Sequence, residues 1–182
     1  MDCYFAGGCF WCITPIFAEL DGVKKVISGF SGGDEENPSY EDVKHQKTMH
    51  RETIKIEYDE EKVSFRDLLD IFLNHVDILD NEGQFIDRGR SYTLAVYYTS
   101  IKEKDIAVKR LSEIEEIIKT KPCVSVEEFK SFYPADDYHQ DYYKKNPEAY
   151  EKELKESGRK KWQKYILQRQ FQKIVSLNYI RN

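Results

Sequence analysis

Cysteine is scarce, at four in 182 residues, and proline, glycine and methionine number only five, nine and two. Four cysteines (Cys3, Cys9, Cys12, Cys123) are too few for a disulfide framework in a chain of this length. In a reducing compartment they read as free, catalytic or metal-binding thiols. No apolar run approaches the roughly 20 residues that a membrane-crossing helix needs, so no membrane partner is expected. No basic-then-apolar leader is present either. Asp2 follows Met1, and Gly7-Gly8 cut the first apolar run short, so the cytoplasm is the expected location. Nothing repeats, and no low-complexity stretch or linker divides the chain, which makes 1–182 a single domain. Basic charge is in the minority, with a net charge of −5. The exception is 144–182, with eleven Lys and Arg against four Glu. That segment lacks the Arg-rich, aromatic-interleaved pattern of nucleic-acid surfaces, so it reads as a solvated helical face, with 159–182 a basic helical extension.

Against those absences stand a 40% apolar content, 13 Tyr and 10 Phe, enough for a sizeable core and an aromatic pocket. Residues 2–6 read as a strand and 10–20 as a helix, with Phe10, Ile13, Phe17 and Leu20 at helical spacing. Residues 23–30 form a second strand, and 39–50 read as loop or a short turn. The third strand, 52–58, alternates with Ile54, Ile56 and Tyr58 on one face. Ser64 and Asp67 have capping-box spacing at the start of a helix running to about 75. A polar loop over 77–90 precedes a strand at 92–98. Ser100 caps a helix running to about 120, with Glu103 at the capping-box position. A weaker strand at 124–132 follows, and helices are expected over 138–145, 148–156 and 160–177. The order strand, helix, strand, strand, helix, strand predicts an α+β two-layer sandwich with a mixed sheet, a ferredoxin-like βαββαβ core plus C-terminal helices.

The chemistry gathers at Gly7-Gly8-Cys9-Phe10-Trp11-Cys12. Glycines between strand and helix permit a sharp turn and close backbone approach. Cys9 then falls at a helix start, where N–H groups and the helix dipole favour a thiolate. The C-x-x-C spacing also suggests a general thiol–disulfide oxidoreductase using Cys9 and Cys12. A thioredoxin fold, however, needs a strand and helix ahead of the dithiol, and only eight residues precede Cys9. A closed zinc site needs a second ligand pair, and no further C-x-x-C or H-x-x-x-H exists, so no metal is expected. Glu52, at a strand entrance, is either a carboxyl of raised pKa able to donate a proton or an exposed partner of Arg51. Tyr40 and Tyr92, at loop junctions, are either core-rim residues or phenol donors to an oxyanion or oxide. Asp87 and His139 are loop solvation or hydrogen-bond anchors.

Taken together the motifs resemble the A-type peptide methionine sulfoxide reductases. Gly8-Cys9-Phe10-Trp11 is similar to the family's GCFW signature. Gly29-Phe30-Ser31-Gly32-Gly33, Pro38-Ser39-Tyr40, His50-Arg51-Glu52, Asn74-His75, Asp87-Arg88-Gly89-Arg90-Ser91-Tyr92 and Asp137-Tyr138-His139-Gln140-Asp141-Tyr142 follow in the family's order. The resemblance covers about residues 3–158. It implies an enzyme that reduces the S epimer of methionine sulfoxide, free or protein-bound, through a sulfenic acid on Cys9. Glu52 would donate the proton, and Tyr40 and Tyr92 would bond the sulfoxide oxygen. Phe10 and Trp11 would form the methyl pocket, Asp87 would support the site, and His139 and Tyr142 would bind substrate. No tightly bound cofactor is implied, and the protein is expected to be a monomer. The reductant would be thioredoxin, glutaredoxin or another thiol. The sequence departs from the family pattern at Thr14-Pro15, Met49 and Ser91, and it has no cysteine after Cys123. The resolving thiol is therefore Cys12, Cys123 or an external one.

Overall fold

The computed structural model describes residues 1–162. The helix expected over 160–177 thus falls mostly outside the described residues. The elements are β1 (Asp2–Gly7), α1 (Phe10–Ala18), β2 (Val23–Ser31), α2 (Tyr40–Lys44), β3 (Arg51–Tyr58), α3 (Phe65–His75), β4 (Gly83–Gln84), β5 (Asp87–Arg88), β6 (Leu94–Tyr98), α4 (Ile101–Ile118), β7 (Val124–Glu128), β8 (Phe132–Pro134), α5 (Tyr142–Lys145) and α6 (Pro147–Glu156). Six strands form one sheet in the order β7-β6-β1-β3-β2-β8. β7 runs parallel to β6 and the other pairings are antiparallel, so the sheet is mixed.

Alternation along the strands divides the sheet into two faces. Cys3 and Phe5 of β1 join Ile54, Ile56 and Tyr58 of β3 in the main core under α1 and α3. Tyr4, Ala6, Ala95 and Tyr97 face the other way. Both helix caps legible in the sequence are made. Ser64 and Asp67 form a reciprocal capping box. The Ser100 hydroxyl accepts from Glu103 N–H at 3.2 Å, while the Glu103 carboxylate accepts from Thr99 N–H at 2.7 Å.

Four local expectations change. The stretch over 124–132 is not one strand. β7 pairs with one edge of the sheet and β8 with the opposite edge, so the chain between them crosses the sheet's second face. The cause is aromatic: Phe129 stacks on Tyr4 at 4.1 Å, and Phe132 lies 5.6 Å from the same ring. The 39–50 segment holds the short helix α2, started by Ser39 accepting from Asp42 N–H at 3.2 Å. Its apolar signal is weak because only Val43 is buried. The 77–90 loop contains the β4–β5 hairpin. Tyr92 sits in a 3-10 turn, Arg90–Tyr92, and not in the strand, because Tyr92 N–H turns back to the Gly89 carbonyl at 3.0 Å.

Candidate active site

The turn from β1 into α1 fixes the site. Gly8 has φ +79°, and a Cβ there would lie 2.7 Å from the Gln84 side chain and 3.0 Å from Arg159. Glycine is the residue that tolerates both demands. Cys9 is the N-cap residue of α1, and Cys12 follows one turn later with both thiols buried. The two sulfurs lie within 4.8 Å of each other.

β3 delivers Glu52 to the same place, on the face of Ile54 and Ile56 and at the end nearest α1. Its carboxylate accepts the Phe10 N–H at 2.9 Å. Burial raises its pKa to about 8; the Phe10 N–H pulls the other way, and Asp87 and Glu153 push it further up. Glu52 is therefore a neutral acid at pH 7, able to donate a proton. The adjacent cation does not reach it: Arg51 points to the opposite face and pairs with Glu127 at 2.9 Å. Glu52 is therefore not the salt-bridge partner of Arg51. The Tyr40 and Tyr92 phenols are pushed well above their ordinary values, by burial first and then by Glu52, so both remain O–H donors.

The expected ready thiolate is not what the surroundings favour. The Cys9 thiol is pushed up, by its hydrogen bond with Cys12 first, then by burial and by Glu52 and Glu153. One helix-end donor, the Phe10 N–H, is given to Glu52 and not to the sulfur. These surroundings favour the protonated Cys9 thiol over its thiolate.

Aromatic rings wall the pocket beside Cys9. Trp11 stacks on Tyr142 at 3.8 Å and 9°, and Tyr40 lies 4.2 Å from His139. Phe10 lies against Tyr40, His139 and Phe30. Burial lowers the His139 pKa and keeps the ring neutral. His139 Nδ1 and Trp11 Nε1 are buried with no hydrogen-bond partner among the described residues. The structure thus gathers Cys9, Cys12, Phe10, Trp11, Tyr40, Glu52, Tyr92, His139 and Tyr142. Asp87 joins through a residue that charge counting placed in the basic tail: buried Arg159 donates to its carboxylate at 2.9 Å and lies over the Phe85 ring. Burial works against Arg159's charge, and Cys12, Cys9, Asp87 and Glu153 more than restore it.

Glu153 is the second residue that sequence reasoning missed. It lies on α6, and the thiols of Cys9 and Cys12 donate to one of its oxygens at 3.5 and 3.9 Å. The signal was helical spacing, since Tyr150 and Leu154, three residues before it and one after, mark the same buried face. Cys9, Cys12 and Glu153 are also the one donor set among the described residues able to hold a metal ion. Cys123 is not gathered in. It precedes the edge strand β7, with its N–H on the Ile78 carbonyl at 2.6 Å and its thiol on the Leu79 carbonyl at 3.6 Å. Of the departures, Thr14 shares a 3.0 Å hydrogen bond with Ser28, Ser91 accepts from Gln46 at 2.6 Å, and Met49 is exposed.

Known proteins carry the same pattern. A family model described as peptide methionine sulfoxide reductase matches residues 1–171. "Peptide methionine sulfoxide reductase MsrA 2" of Staphylococcus aureus (strain Mu50) is 45% identical over 157 residues, 85% of this chain and 89% of that protein. The MsrA of Picrophilus torridus is 43% identical, over 80% of this chain and 83% of its own length. Among solved structures, reduced Mxr1 from Saccharomyces cerevisiae superposes with a TM-score of 0.77 at 26% identity, covering 81% of this chain and 86% of that one. A buried thiol at a helix start, a neutral carboxylic acid, two phenols and an aromatic wall suit the reduction of a sulfoxide, and the chain belongs to the A-type peptide methionine sulfoxide reductase family, whose members reduce methionine sulfoxide.

Proposed function

We propose that the enzyme reduces the S epimer of methionine sulfoxide, in proteins or free, with Cys9 as nucleophile and Glu52 as proton donor. The observation that carries this is Glu52, neutral and buried, bonded to the N–H of the residue next to Cys9. A sulfoxide is a poor electrophile until its oxygen is protonated, and a neutral acid at the attacked sulfur supplies that proton. Tyr40 and Tyr92 donate hydrogen bonds to the same oxygen. Phe10 and Trp11 enclose the methyl group. His139 and Tyr142 contact the substrate, and Asp87 supports the site through Arg159. Cys9 Sγ attacks the sulfoxide sulfur as its oxygen is protonated, and the oxygen then passes to Cys9 as the sulfide leaves, giving methionine and a sulfenic acid on Cys9. Cys12 then attacks that sulfenic acid; the proximity of the two sulfurs supports it over Cys123.

A thioredoxin-like protein, glutaredoxin or small thiol returns the resulting disulfide to the reduced state. Yeast Mxr1 has been solved in complex with Trx2, which supports a reductant of that kind. The order β6-β1-β3-β2, with α1 and α3 as crossovers, supports a ferredoxin-like core. We take the chain as a single-domain monomer whose basic 159–182 segment extends that core, acting in the cytoplasm. No described helix is long and apolar enough to cross a membrane.

The test is turnover of each sulfoxide epimer with dithiothreitol as reductant. S-specific turnover that disappears in Cys9→Ser is expected. Turnover of the R epimer alone, or full activity in Cys9→Ser, overturns the reading.

A further inference from the structure

Glu52 accounts for the proton in the first half-reaction, but it bonds to Phe10 N–H and makes no hydrogen bond to Cys12. The second half-reaction has its own proton problem. Cys12 must lose a proton to attack, and the oxygen on Cys9 must gain one to leave as water. Neither sulfur has ready access to bulk solvent, because Leu154 and Tyr150 of α6 pack over the pair with Trp11 beside them.

One side chain of α6 brings a carboxyl to this contact. A single oxygen of Glu153 lies 3.5 Å from Cys9 Sγ and 3.9 Å from Cys12 Sγ, so it reaches both ends of the transfer. We propose that Glu153 is the catalytic acid–base group of disulfide formation, taking the proton from Cys12 and delivering it to the oxygen leaving Cys9. The inference rests on Cys12 being the resolving thiol. The step balances without any co-reactant. The Cys12–Cys9 S–S bond forms as the Cys9 S–O bond breaks. Cys12 is oxidised, the sulfenic sulfur is reduced, and the proton that Glu153 removed departs in water.

The surroundings suit the task. Asp87 of β5, Glu52 of β3, the two thiols of α1, Tyr150 of α6 itself and Arg159 beyond it all face this carboxyl. Burial, the largest influence, raises its proton affinity, and Asp87 adds to this. The thiol hydrogen bonds and Arg159 pull it back. A carboxyl that holds its proton more tightly than an exposed one is suited to accept it and then release it.

The experiment is a single turnover with the full chain and one equivalent of N-acetylmethionine S-sulfoxide, quenched at intervals. Mass spectrometry reads the N-acetylmethionine product, the Cys9–Cys12 disulfide and the dimedone-trapped sulfenic acid. Glu153→Gln, close in size to the parent, is expected to slow disulfide formation about 100-fold. It should slow N-acetylmethionine release at least ten times less, so sulfenic acid accumulates. Glu153→Asp should recover part of the disulfide rate. Disulfide formation at the parent rate in Glu153→Gln, or equal slowing of both steps, overturns the role of Glu153 while leaving Cys12 as resolving thiol. Absence of a Cys9–Cys12 disulfide in the unsubstituted protein overturns both readings together.

Discussion

Arg51 and Glu52 are consecutive residues of β3, each 2% exposed, yet the fold treats their charges in opposite ways. Arg51 enters the second face of the sheet. There its guanidinium donates to both oxygens of Glu127, at 3.2 and 2.9 Å, to the Tyr97 hydroxyl at 2.9 Å and to the Thr93 hydroxyl at 2.9 Å. Glu52 enters the first face and receives one backbone N–H and no cation. Strand alternation is the whole cause: neighbours in sequence point to opposite sides of a sheet. A buried charge with full partners stays charged, whereas a buried carboxyl denied a cation becomes neutral. The fold thus keeps Glu52 from the arginine next to it, as the proton-donor role proposed for it requires.

The strongest way to break this contrast is Glu52→Gln. The amide keeps the size and accepts the Phe10 N–H but has no acidic proton. Turnover of the S-sulfoxide should fall about 100-fold or more, within the range a positioned acid contributes. The pH dependence has a definite sign. Burial makes native Glu52 hold its proton more tightly than the unfolded chain does, with a native pKa of about 8. Its contribution to stability is therefore complete below the ordinary carboxylate pKa and is lost as pH rises through about 8. The parent should lose more thermal stability between pH 6 and pH 9 than Glu52→Gln does. The parent's kcat/KM should also show a falling alkaline limb near pH 8 that the variant lacks. Equal melting shifts in the two proteins would show that Glu52 is ionised throughout.

The alternation of Ile54, Ile56 and Tyr58 made the inner face of β3 legible, and counting back by two puts Glu52 on it. The glycines before Cys9 and the caps at Ser64 and Ser100 were legible because each is a local rule. What escaped was long-range. Nothing in 124–132 says that Phe129 and Phe132 carry the chain across the sheet to its far edge. Arg159 looks like its basic neighbours until the β4–β5 hairpin brings Asp87 and Phe85 to it. The helix dipole pointed to a Cys9 thiolate; the Cys12 hydrogen bond and burial weigh most against it, and Glu52 and Glu153, from 43 residues and more away in the sequence, add to them. Glu153 needed α6 to be docked on α1 before its spacing meant anything.

A test from the other side of the contrast is Arg51→Met. It fills similar volume but leaves Glu127 and the Tyr97 hydroxyl without their cation. Breaking a fully buried pair costs about 3–5 kcal/mol; because Glu127 is about one-third exposed, roughly 2 kcal/mol is expected here. Denaturant unfolding measures it. Activity per folded molecule should stay at the parent level, since Arg51 and Glu52 act on different faces. A large activity loss at unchanged stability would mean that Arg51 does act on Glu52 through the backbone.

The smallest effects come from the two phenols that accompany the two charges. Tyr97 accepts from Arg51 and donates to the Ser31 carbonyl at 3.1 Å, so Tyr97→Phe removes two bonds from the structural face. A loss of roughly 1–2 kcal/mol in unfolding free energy is expected, with turnover unchanged. Tyr92 instead lies at the catalytic face, where its hydroxyl hydrogen-bonds to the Glu52 carboxyl. Tyr92→Phe should lower kcat about tenfold, the worth of roughly 1.4 kcal/mol, while leaving the melting temperature within about 2 °C of the parent. If the two variants exchanged these outcomes, the division of β3 into a structural face and a catalytic face would be wrong.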